Sequence, residues 1–144
     1  MKKLKALALL ALSFSVSCSA LAQAVPDEVA LRKLTDQIMV QVGKGDLEAA
    51  FRLLKPRTVV PEAEVDAMVG QVKLQLPALT IRFGNVLGQE FVQESRVGQS
   101  LVRYTYIQRF DKHAMRWVFY GYHGKDGWFI DTFRFDDQIQ TLFP

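Results

Sequence analysis

The chain has 144 residues, 49% of them apolar, with 18 Lys+Arg against 15 Asp+Glu and a single cysteine. That length suits one domain of ordinary size, since two would each be very small and without disulfide support. The surplus of +3 is no sign of a nucleic-acid or anionic-membrane partner, because the first two dozen residues supply it.

Residues 1–24 read as a secretory signal peptide. Lys2, Lys3 and Lys5 give a positive n-region, the stretch from Leu4 to Val16 is apolar apart from Lys5 and has no acid, and Ala20-Leu21-Ala22 and Ala22-Gln23-Ala24 form two overlapping small-x-small cleavage sites. The run is short for a membrane span and ends among serines. A lipidation signal would place a leucine-like residue three positions before Cys18, where Ser15 stands. Removing the leader takes away three lysines and no acid, leaving 15 basic and 15 acidic residues and no cysteine. The expected product is a periplasmic or secreted bacterial domain, residues 25–144, held together by core packing alone.

The first half of that domain is patterned for helices. Leu31, Leu34, Ile38 and Val42 recur at spacings of three and four after Pro26-Asp27-Glu28. Gly43-Lys44-Gly45 stops the first helix, and Asp46 caps a second with Leu47, Ala50, Phe51 and Leu54 on one side. Lys55-Pro56 ends it. Pro61 opens a third, whose stripe is Val65, Met68, Val69, Val72 and Leu76 and which Pro77 is expected to close.

After Pro77 the period changes to two. Leu79, Ile81 and Phe83 alternate with Thr80, Arg82 and Gly84 in a first strand that bends at Gly84 and Gly88 and runs to about Glu94. Strands at 101–110, 115–123 and 128–135 follow through short turns. The expected fold is α+β: three N-terminal helices packed on a bent four-stranded antiparallel meander. With even loops, Tyr104, Tyr106, Trp117, Phe119, Trp128 and Ile130 share one sheet face. Val118, Tyr120, Tyr122, Phe129, Asp131, Phe133 and Phe135 share the other. So aromatic a second face predicts a homodimer through the sheet.

Gly43-Lys44-Gly45-Asp46 between the first two helices and the closing Gly127-Trp128-Phe129-Ile130-Asp131-Thr132-Phe133 resemble soft motifs of the nuclear-transport-factor-2-like superfamily, in particular its small exported bacterial domains of unknown function. The resemblance covers the whole mature chain. It implies a cone-shaped α+β fold that hosts enzymes, binding modules and assembly domains alike. Enzymes of that superfamily place an Asp or His in the cone, often helped by Tyr.

The residues offered for a pocket or interface are Tyr104, Tyr106, Trp117, Tyr120, Tyr122, His123 and Asp131. His123 flanks a Gly-rich turn, which reads as a solvated position before a catalytic one. His113 falls in a turn and is expected at the surface. Asp131 alternates with Phe129 and Phe133, so an ion pair with Arg103, Arg109 or Arg116 is expected of it. No cofactor or metal is expected. Two distant histidines make no zinc pattern, no Gly-rich loop follows a strand to open a helix, and Ser95 and Ser100 lack a nucleophile elbow. The function these features favour is a non-catalytic exported module that binds a small apolar ligand or a protein partner. The alternatives are an isomerase, dehydratase or cyclase with Asp131 or His123 as its base, and a purely structural homodimer.

Overall fold

The structure is a computed structural model and describes residues 21–144. The leader reading, Cys18 included, lies outside the described residues except for Leu21–Ala24. Helix α1 spans Glu28–Gly43, α2 Leu47–Leu54 and α3 Glu62–Phe83. Strands β1 (Val86–Val97), β2 (Leu101–Phe110), β3 (Ala114–Gly124) and β4 (Gly127–Asp136) form one antiparallel sheet in the order β1-β2-β3-β4. The α+β class and the meander are as the sequence pattern requires. Among the described residues no helix is long and apolar enough to cross a membrane.

The helix starts are set by short acidic side chains. Asp27 accepts the Ala30 N–H at 2.7 Å and Asp46 accepts the Ala49 N–H at 2.9 Å, each satisfying an amide that has no partner inside its helix. Leu31, Leu34, Ile38 and Val42 are all buried, as are Ala50, Phe51 and Leu54. They meet Val102, Tyr104, Tyr106, Trp117, Phe119 and Ile130 from the sheet. Where α1 crosses β3 the approach is so close that a Cβ on Gly121 would run into Leu31 and lie 2.8 Å from Val102 Cγ1. The free edge of β4 is covered at its start. Val25 and Trp128 exchange both backbone hydrogen bonds, and Val59 donates to the Ile130 carbonyl at 3.2 Å.

Two expectations change. First, Pro77 does not end α3. The helix runs six residues further, to Phe83, and Gly84 at φ 87° stops it, its N–H bonded to the Thr80 carbonyl. Residues 79–83 are therefore helix and β1 begins at Val86. Proline forfeits one ladder bond, and here that loss falls on an exposed stretch where water can take the free carbonyl. The register of Val65, Val72, Leu76, Leu79 and Phe83 continues unbroken through it.

Second, β4 carries a bulge. Gly121 pairs with Ile130 and Tyr120 with Thr132, which leaves Asp131 as the extra residue. One extra residue reverses every later side chain. Phe133 and Phe135 therefore join Phe119 and Trp117 on the helix side, where Phe135 stacks on Trp117 at 4.5 Å. The outer face loses two of the rings assigned to it. Its centre is further covered by the C-terminal turn Ile139–Leu142, whose Thr141 hydroxyl accepts from Arg116. Gly88, at φ 143°, does mark a register shift in β1.

Candidate ligand-binding cleft

Helix α3 is buried only at its ends, at Val65 and Phe83. Between them it stands off the sheet, and the space beneath it is a cleft of about 590 Å³. Val72, Leu76 and Leu79 form its roof, and Phe110, Met115, Trp117 and Phe135 its floor and walls. The floor's polar groups are satisfied within the protein. The Trp117 indole N–H donates to Gln108 Oε1 at 3.2 Å, and Gln108 Nε2 donates to the Val42 carbonyl at 3.0 Å. That closes the end of α1 and leaves the floor to present apolar surface. Three charged side chains also line the cleft, Arg82, Asp136 and Asp137, and Arg82 stands 3.6 Å from Asp137.

Of these, Asp136 is engaged by Arg116 through two hydrogen bonds, at 3.1 and 2.6 Å. Burial acts to raise its carboxyl. Hydrogen bonds from Arg116 and the Gln138 N–H, with the charges of Arg116 and Arg134, outweigh that and hold it below the usual carboxylate value. It is the carboxylate of a structural pair, and Asp131, exposed at the bulge, has no ion-pair partner among the described residues. The expected pairing of Asp131 with Arg103, Arg109 or Arg116 is not formed.

A second cavity, of about 760 Å³, lies between residues 21–23, α2 and the first half of α3. Ion pairs Lys55–Asp66 and Lys73–Glu48 cross it. Its matched charges make it a salt-bridged seam between helices, and the aromatic cleft is the better ligand site.

Of the seven residues singled out from the sequence, only Trp117 lines the cleft. Tyr104 and Tyr106 are buried beside it, but their hydroxyls point to α1. Tyr104 donates to the Glu28 carbonyl at 3.4 Å, and Tyr106 donates to Asp36 at 2.7 Å and bonds Thr35 Oγ1 at 2.8 Å. Both phenols are raised above their ordinary pKa, chiefly by burial, so they stay neutral. Tyr120 and Tyr122 lie on the outer face, Tyr120 half-buried near Arg134 and Tyr122 exposed. His123 is exposed at the end of β3, its ring stacked on Trp128 at 5.0 Å. His113 departs from the expected surface position. It is half-buried with its ring 4.4 Å from Phe83.

The residues missed were Leu79, Gln108, Met115 and Phe135. The signal for Leu79 was present, since it continues the spacing of Val72 and Leu76 towards Phe83 with Gly84 as the stop. Phe135 was lost to the bulge at Asp131, for which the sequence carries no glycine marker. No protein-family model, curated protein or solved structure matches the chain.

Proposed function

We propose that the chain is an exported, non-catalytic binding module on a nuclear-transport-factor-2-like scaffold, and that it takes a small apolar ligand in the cleft under α3. The observation that carries this reading is an aromatic floor whose own polar atoms are already paired. A volume of about 590 Å³ falls within the usual range for small-molecule pockets. The floor's indole and amide do not titrate near neutral pH, and His123 and Asp131 face solvent outside the cleft. Those positions favour binding over proton transfer.

Titration of residues 25–144 with the neutral apolar fluorophore N-phenyl-1-naphthylamine tests the reading. Saturable enhancement of probe emission is expected, and the double variant Val72→Phe, Leu79→Phe should lower the affinity at least about tenfold by filling the roof. Absence of saturable binding, or equal binding by the filled variant, would overturn it.

A further inference from the structure

Helix α3 is apolar on two opposite sides. At about 100° per residue, Val65, Val72, Leu76, Leu79 and Phe83 fall together towards the cleft and core. Ala63, Ala67, Gly70, Leu74, Ala78 and Ile81 fall within about 40° of the opposite side. All six are exposed, Leu74 at 83% and Ile81 at 82%. From Ala67 to Ile81 the helix carries one charge, Lys73, and that side chain is turned to Glu48 on α2. A surface helix ordinarily puts its polar residues where this stripe lies. A Cβ built on Gly70 meets nothing within 4 Å, so the space beside the stripe is open.

The stripe is nearly symmetric about Leu74. Gly70 and Ala78 stand four residues to either side of it, Ala67 and Ile81 seven. Pairing two copies antiparallel, with a twofold axis at Leu74, sets Leu74 on Leu74, Gly70 on Ala78 and Ala67 on Ile81, so that a small residue receives each large one at the ends. The flanking charges fit the same operation. Glu64 and Arg82 lie on one flank, ten residues before and eight residues after Leu74. The twofold therefore brings Glu64 to within about 3 Å, measured along the helix axis, of Arg82 of the second copy. Among the described residues Glu64 has no ion-pair partner, and the one ion pair of Arg82 is the exposed one with Asp137.

We propose that α3 is the homodimer interface of this protein, two copies pairing antiparallel through this stripe. The outer sheet face is the poorer surface. Arg103, Arg109 and Arg134 stand on it without a carboxylate partner among the described residues, so like charges would meet across a twofold there. One helix pair covers less than the roughly 1,600 Å² of a standard interface, which makes this a micromolar association and not a nanomolar one.

Two measurements test it. In a Cys18→Ser background, Leu74→Cys sits on the axis and should form a disulfide dimer on mild oxidation, whereas Tyr120→Cys should not. In sedimentation equilibrium at up to about 100 µM, Leu74→Glu should give monomer with an unchanged melting temperature. Glu64→Arg and Arg82→Glu should each weaken the dimer at least about tenfold, because each sets like charges opposite one another. An equimolar mixture of those two variants should restore association, since both flanks then carry opposite charges. A parent chain that stays monomeric throughout the range would overturn the proposal. So would a dimer that survives Leu74→Glu but is lost on Tyr120→Glu.

Discussion

Trp117 donates its indole N–H to the side-chain carbonyl of Gln108, its diagonal neighbour across β2 and β3, at 3.2 Å. The same amide reaches the last turn of α1 at Val42, so one buried glutamine ties a helix end to the aromatic floor of the cleft. Gln108→Leu keeps the volume and strands both the indole N–H and the Val42 carbonyl. It should cost about 2–4 kcal/mol, more than one ordinary hydrogen bond, because the groups left behind are buried. Urea unfolding followed by tryptophan emission measures it, and a cost below about 1 kcal/mol would show that the pair is reached by water.

Tyr106 offers a contrasting case. Its phenol holds Thr35 and Asp36 on α1, and Asp36 is half-exposed, so the carboxylate it leaves behind can be hydrated. Tyr106→Phe should therefore cost only about 1–2 kcal/mol. Because burial raises this phenol above its ordinary value, it should contribute nothing to the absorbance change of tyrosinate formation near that value. A Tyr106→Phe variant with the same alkaline titration as wild type up to about pH 11 checks it.

At Gly121 the limit is space. A methyl group there collides with Leu31 and crowds Val102. Gly121→Ala should destabilise by about 1–3 kcal/mol. Combining it with Val102→Ala, which vacates part of the same volume, should cost less than the sum of the two single changes. A double-mutant cycle with no coupling would place α1 farther from β3 than the structure does.

The Arg116–Asp136 pair sets an acid limb to the stability curve. The Asp136 carboxyl is held below its ordinary value in the folded state, so the unfolded chain takes up the proton first as pH falls. The contribution is complete above about pH 4 and is lost as pH drops through the lower, folded value. Asp136→Asn should cost about 3 kcal/mol at neutral pH by leaving Arg116 largely buried and unpaired. It should also flatten the loss of stability in acid. Denaturant midpoints measured across the acid range would reveal a variant that keeps the full wild-type slope, an outcome incompatible with this pairing.

The parts of the fold legible in the sequence were those written in periodicity. The stripe of α1, the caps Asp27 and Asp46, and strands β2 and β3 follow from spacing and local chemistry alone. What was not legible depended on non-local compensation. Pro77 usually ends a helix, and whether its lost hydrogen bond matters depends on solvent access at that point, which no local pattern states. The bulge at Asp131 is set by how β4 meets β3, and a single unpaired residue there moved Phe133 and Phe135 to the opposite face. The roof of the cleft runs on past Pro77 to Leu79 and its wall includes Phe135, so both misreadings fell on the site itself. Trp117 was found because it lies in β3, where alternation is uninterrupted.

The anchoring of α3 at Val65 and Phe83 has a consequence for how the gene can vary. The two anchors are 18 residues apart, which is about five full turns and about 27 Å, so both point inward at once. Deleting or inserting one residue between them turns one anchor through about 100° and shifts it by about 1.5 Å, pulling a ring or a valine out of the core. Point changes along the span leave that phase intact. Length changes do not, and those that survive should come in steps of three or four residues, close to a whole turn.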